Sequence, residues 1–150
     1  MGRCCGPSVL LLLSGAFSRL PAQSAGQEIT DPEALIGLTL EGLFARFGVP
    51  QEMYAVRGVE EWQDDVVLIY PQGDFYIFRD RVWQVGIRSA RGIRVGDPRA
   101  AVVLALGEAA VEGEDSFSLP IYGWSWPMGL RVTIGGSGLV AGIFVYRSDF

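Results

Sequence analysis

The second half of this chain restates the first. Gly37 and Gly48 bracket a short apolar segment, and Gly96 and Gly107 bracket another of the same length. At the far end Arg88-Ser89 recurs as Arg147-Ser148 with the same offset. Strand-like runs fill the space between these anchors in both copies. Equal spacing at both ends of two segments that share few identities implies one small αβ unit used twice, each copy burying its apolar face against shared structure. The expected fold is α+β: two tandem helix-plus-antiparallel-strand repeats, with the helices packed on one side of the sheet. The repeats should span residues 37–90 and 91–150 and share one core. An entry segment at 25–36 and a leader at 1–24 precede them.

The leader is legible in residue order. Arg3 supplies a positive start, Val9-Leu10-Leu11-Leu12-Leu13 continues apolar through Ala16-Phe17, and Pro21-Ala22-Gln23-Ser24-Ala25 offers small residues. This pattern reads as a secretory signal cleaved near Ser24 or Ala25. The stretch is too short for a comfortable membrane span. Both cysteines, Cys4 and Cys5, precede it, whereas a lipobox would need one after it, so no lipid anchor is expected. The mature chain would then have no disulfide and would depend on its core. The net charge of −5 becomes more negative once Arg3 and Arg19 leave with the leader. An acidic surface argues against nucleic acid and against anionic lipid headgroups.

Local signals place the elements. Thr30-Asp31-Pro32-Glu33 predicts a short helical turn over 32–36, with Thr30 as its cap. Thr39 is the expected cap of the first main helix, whose stripe is Leu40, Leu43, Phe44 and Phe47; Gly48 stops it and Pro50 prevents resumption. Asp97 should cap the second, with Pro98 first in the helix and a stripe of Val102, Val103 and Leu106 before Gly107. Strands are expected at 52–56, 66–70, 75–78 and 82–88 in the first copy. The second copy should supply 116–119, 122–126, 130–134 and 139–147, with Gly135-Gly136-Ser137-Gly138 as the last hairpin.

The run Gly37-Leu38-Thr39, an apolar helix, then Gly48-Val49-Pro50 resembles the helix start and stop of the SmpA/OmlA (BamE-like) family of small envelope proteins. The doubling is similar to the β-lactamase inhibitory protein architecture of two tandem helix-plus-sheet repeats. The resemblance covers most of 37–147. It implies a non-catalytic protein that binds other proteins in the envelope or outside the cell. The chain lacks the lipidated Cys of the former group and the disulfides of the latter. The matched positions are caps and helix-ending glycines, so no binding residue is carried over.

Elimination narrows the chemistry. With no His, no Lys and no cysteine after the leader, there is no Ser-His or Cys-His pair, no Ser-Lys dyad and no Schiff base. Zinc, copper and haem sites lose their usual nitrogen and sulfur ligands, and no cofactor is expected. Glu60-Glu61-Trp62-Gln63-Asp64-Asp65 concentrates four acids beside a Trp. It fits no calcium loop, and a solvated loop or edge strand explains it more simply than a glycosidase pair.

Two aromatic patterns remain. Tyr122, Trp124, Trp126, Met128, Leu130, Val132 and Ile134 alternate with small or polar residues, which predicts a sheet face turned to the core, with the Trp side chains at its rim. In the first copy Phe75, Ile77, Trp83, Val85 and Ile87 suit the core, leaving Tyr76, Phe78 and Val82 outward. The repeat anchors equate Phe144 with Val85 and Tyr146 with Ile87, which turns Ile143 and Val145 outward. A face that is apolar on both sides marks either a binding surface or one covered by the entry segment or the other copy. Tyr76, Phe78, Ile143 and Val145 are the candidate contact residues. The expected function is a non-catalytic, periplasmic or secreted scaffold that binds another envelope or secreted protein, or a second copy of itself, with no stable membrane insertion. The alternatives are a carrier of a small apolar ligand and, more remotely, a carboxylate-dependent hydrolase.

Overall fold

A computed structural model describes residues 28–57 and 65–149. The expected leader and the acids Glu60, Glu61 and Asp64 lie outside the described residues. The chain runs through α1 (Leu40–Phe47), then β1 (Glu52–Val56), β2 (Asp65–Tyr70), β3 (Gly73–Phe78) and β4 (Arg81–Ile87). A two-strand ribbon follows, β5 (Ser89–Ala90) and β6 (Ile93–Arg94). Then come α2 (Arg99–Leu106), β7 (Val111–Glu112), β8 (Ser116–Ile121), β9 (Met128–Ile134) and β10 (Val140–Arg147). Eight strands form one antiparallel sheet in the order β1-β2-β3-β4-β10-β9-β8-β7. The five-residue β1 and the two-residue β7 are therefore its edges.

This corrects the expected architecture. The molecule is mostly β, one large continuous sheet with two eight-residue helices, and not two helix-plus-strand repeats of the BamE-like kind. The physical reason is pairing at the centre. β4 and β10 bond to each other through Ile143↔Ile87 to Tyr146↔Gln84, which welds all the long strands into one ladder. The helices are too short to form a layer of their own, and they contribute only Leu43, Val102 and Leu106 as buried side chains.

The local signals fare better than the architecture. Thr39 Oγ1 accepts the Gly42 N–H at 3.0 Å, and Gly48, at φ 77°, ends α1 with its N–H on the Phe44 carbonyl. In the second helix Pro98 occupies the cap position and Asp97 instead accepts the Arg94 N–H at 2.7 Å, closing a turn one residue early. Gly37 and Gly96 both have positive φ, and each gives its N–H to the first part of a central strand, Gly37 to Val82 and Gly96 to Val140. The two glycines thus hang a helix start on β4 and on β10. The early turn is a 3-10 turn at Glu33–Leu35, with Asp31 rather than Thr30 receiving an N–H, that of Ala34.

One cluster forms the core. Leu35, Leu43, Leu68, Phe75, Val82, Val85, Ile87, Ile93, Val102, Val132, Ile143 and Val145 all belong to it. Phe47, Tyr70 and Phe75 meet ring to ring at 5.1–5.8 Å within it. Its sheet residues alternate along each strand, so the intervening residues point to a second face.

Candidate functional site: the second sheet face

Register fixes what that second face carries. Tyr54 stands opposite Val67, Val67 opposite Tyr76, Tyr76 opposite Gln84 and Gln84 opposite Tyr146. A parallel row runs Ile69, Asp74, Gly86, Phe144, Arg131 and Ser118. Opposed residues share a face, so these two rows lie side by side across the four strands β2, β3, β4 and β10. Val67 is fully buried yet stands outside the core cluster, because it is covered on this face by its aromatic neighbours.

A β-bulge adds one more ring. The β3–β4 register shifts between Tyr76 and Ile77, so that Trp83 and Gln84 both turn to the second face while Val82 and Val85 face the core. The Trp83 indole N–H donates to Asp65 at 3.0 Å, and its ring meets Tyr76 at 6.3 Å and 71°. Tyr76 meets Phe144 at 6.2 Å and 76°. The Arg131 guanidinium lies over the rings of both Phe144, at 5.6 Å, and Tyr146, at 5.1 Å. It also donates to the buried Gln84 side-chain oxygen at 2.8 Å. Its Nε is buried and has no acceptor among the described residues.

Glycines make room for this layer. A Cβ at Gly142 would lie 2.6 Å from the Phe144 ring, and one at Gly129 would lie 2.9 Å from Tyr146. Ring atoms occupy the space those side chains would fill, so the aromatic groups lie down across the sheet. Burial under this layer raises the Asp74 carboxyl pKa, with Arg88 pulling it back down. It also raises the Tyr76 hydroxyl, helped by Tyr54, Asp74 and Asp65 and opposed by Arg131.

The four expected contact residues divide evenly. Tyr76 and Phe78 lie on the second face, both part-exposed, with Arg79 stacked over Phe78 at 5.0 Å. Ile143 and Val145 are 1 % exposed and belong to the core. Val145 stands opposite Val85 and Ile143 opposite Ile87, so they share the core face with those residues. The repeat offset misassigns them by one position: Gly37 bonds to Val82 and Gly96 to Val140, so the glycines are 59 residues apart (96 − 37) but their partners on the sheet only 58 (140 − 82). Val82, expected outward, is in the core for the bulge reason above. Tyr122 and Trp124 are also corrected: they sit in the loop between β8 and β9, at 84 % and 44 % exposure, rather than on a strand. Trp126 packs partly against the core.

Sequence reading missed Tyr54, Trp83, Gln84, Arg131, Phe144 and Tyr146. A signal was present, since Gly86, Gly129 and Gly142 interrupt otherwise continuous strand runs, and such glycines mark close approach. Among the described residues no group of three or more acidic or sulfur side chains could hold a metal ion. None of their helices is long and apolar enough to cross a membrane.

Comparison with known proteins adds little. No family model matches the chain, which with the sheet topology sets aside the BamE-like and inhibitor-like resemblance. No curated protein matches it. Among solved structures the chain is similar to an extracellular protein containing a SCP domain from Bacillus anthracis str. Ames, at 10% identity and a TM-score of 0.49. The match covers 89% of this chain and 49% of that one, so this chain spans about half the length of that protein. At that level the likeness carries no argument about function.

Proposed function

We propose that this is an exported, non-catalytic protein that binds another protein through the second face of its sheet. The observation that carries the reading is the aromatic layer built from Tyr54, Tyr76, Trp83, Phe144 and Tyr146 around Arg131. Tyr, Trp and Arg dominate the energetic centres of protein interfaces, because they offer large rigid area with a polar tip. The leader pattern supports export, and the acidic charge supports a protein partner over nucleic acid. The absence of His and Lys from the whole chain supports a non-catalytic role.

The test compares two pairs of substitutions in a pull-down from the native envelope or medium, or in self-association. Tyr76→Ser with Phe144→Ser should weaken association by the roughly 1–3 kcal/mol expected at the centre of an interface, while the protein still melts cooperatively. Ile143→Ala, in the core, should lower the melting temperature instead. Unchanged association in the folded double variant would overturn the reading. Intact mass of the exported species checks the leader: a full-length chain retained in the cytoplasm would contradict export.

A further inference from the structure

We propose that the core side of the sheet holds a second, independent site, which takes a small neutral amphiphile. A cavity of about 160 Å³ lies where the two halves of the sheet meet, beneath the entry segment. Its floor is Ile87, Leu130 and Val145, and its rim is Thr30, Glu33 and Arg91. The floor side chains belong to the core cluster. The stretch around Ile29 to Glu33 lines the cavity opposite this floor.

The size and lining choose the ligand. An apolar cavity of about 150 Å³ in a protein core takes up benzene. This cavity has a similar volume but an open, polar rim above its apolar floor, so it suits a single aromatic ring, or a branched chain of similar bulk, whose polar head stays at the mouth. The rim presents the charges of Arg91 and Glu33 and the hydroxyls of Thr30 and Ser89, the latter already donated to the Glu28 carboxylate. Neither Arg91 nor Glu33 makes an ion pair among the described residues. A net anionic or cationic head would gain one rim charge and face the other. A neutral hydroxyl or amide head can donate to Glu33 and accept from Arg91 at once. Arg91 sits in the tight turn between β5 and β6, with φ 53° there and 80° at Gly92.

The experiment titrates the purified protein with benzene, benzyl alcohol, benzoate and benzylamine, following methyl resonances of Ile87, Leu130 and Val145 by NMR. Benzene and benzyl alcohol should shift these methyls saturably, and benzyl alcohol should bind more tightly than either charged analogue. Ala90, which also lines the cavity, offers a way to fill it. Ala90→Leu should abolish the shifts at unchanged or higher melting temperature. Glu33→Ala leaves the core alone and should weaken benzyl alcohol several-fold while sparing benzene, which keeps the test sound if Ala90→Leu fails to fold. Absence of saturable shifts up to the solubility of the probes would overturn the site. Tightest binding by benzoate or benzylamine would overturn the neutral head. Because the second face is not involved, Tyr76→Ser with Phe144→Ser should leave these titrations unchanged.

Discussion

Gly73 shows how little freedom single positions have in this sheet. A Cβ added there would run into the backbone carbonyl oxygen of Gly86, which cannot swing aside. Gly73→Ala should therefore cost toward the upper end of about 1–3 kcal/mol in denaturant unfolding. Gly129→Ala should cost less, because it meets the far end of the Tyr146 side chain, which can lift. Equal losses for the two would refute the distinction. Asp74 makes a second prediction. Its pKa lies above the ordinary value of 3.8 because burial disfavours the charge, so the folded state holds the proton more tightly than the unfolded one. Stability from this group is then greatest in acid and declines as pH rises through the raised value. Asp74→Asn should melt higher than wild type at pH 7, and the gap should close as the pH falls below the ordinary carboxylate value. A gap independent of pH would assign the effect to packing instead.

At the scale of elements, α1 separates what periodicity can give from what it cannot. The stripe Leu40, Leu43, Phe44 and Phe47 correctly locates the buried side of the helix, but the depth of each position depends on what lies beneath. Leu43 is fully buried, and Phe44 is 40 % exposed. Leu43→Ala should cost about 2–5 kcal/mol, while Phe44→Ala should cost about 1 kcal/mol or less, as measured by thermal or urea unfolding. Reversal of that order would place the helix differently on the sheet. Helix caps and stops were legible because Thr39, Gly48 and Gly107 act within one turn of chain. Most strands were legible for the same reason. The faces were legible only where period two runs unbroken, as in β3 and β9. The bulge at Trp83 and the irregularity at Val140/Gly142 each shift the alternation by one residue, and a strand glycine such as Gly142 marks a disturbance without giving its direction. That is why Tyr76 was placed correctly and Ile143 was not. The loop holding Tyr122 and Trp124 imitates a strand, since alternation of aromatic and small residues does not require pairing.

For the whole molecule, the decisive contact is the seam between β4 and β10. Each flank of the sheet is a run of consecutive strands joined by short connections, and long-range pairing enters at that seam. A fragment ending at Ala90 would keep β1 to β4 and lose β10, leaving Val85 and Ile87 without their opposed partners. About 60 residues bury too small a share of their surface to compensate, so this fragment should not melt cooperatively. A cooperative transition close to that of the intact protein would show that the flanks are independent. The two ends of the sheet have unequal prospects. At one end β1 is an exposed five-residue strand with ladder groups to offer, whereas β7 at the other has two residues, and its Glu112 is held by Arg99 at 2.7 Å. A polymer joined strand to strand needs a donor end and an acceptor end on every subunit. Among the described residues only β1 offers a full-length edge, so any pairing strand to strand there would end at a pair related by a two-fold axis and would not propagate into a fibre.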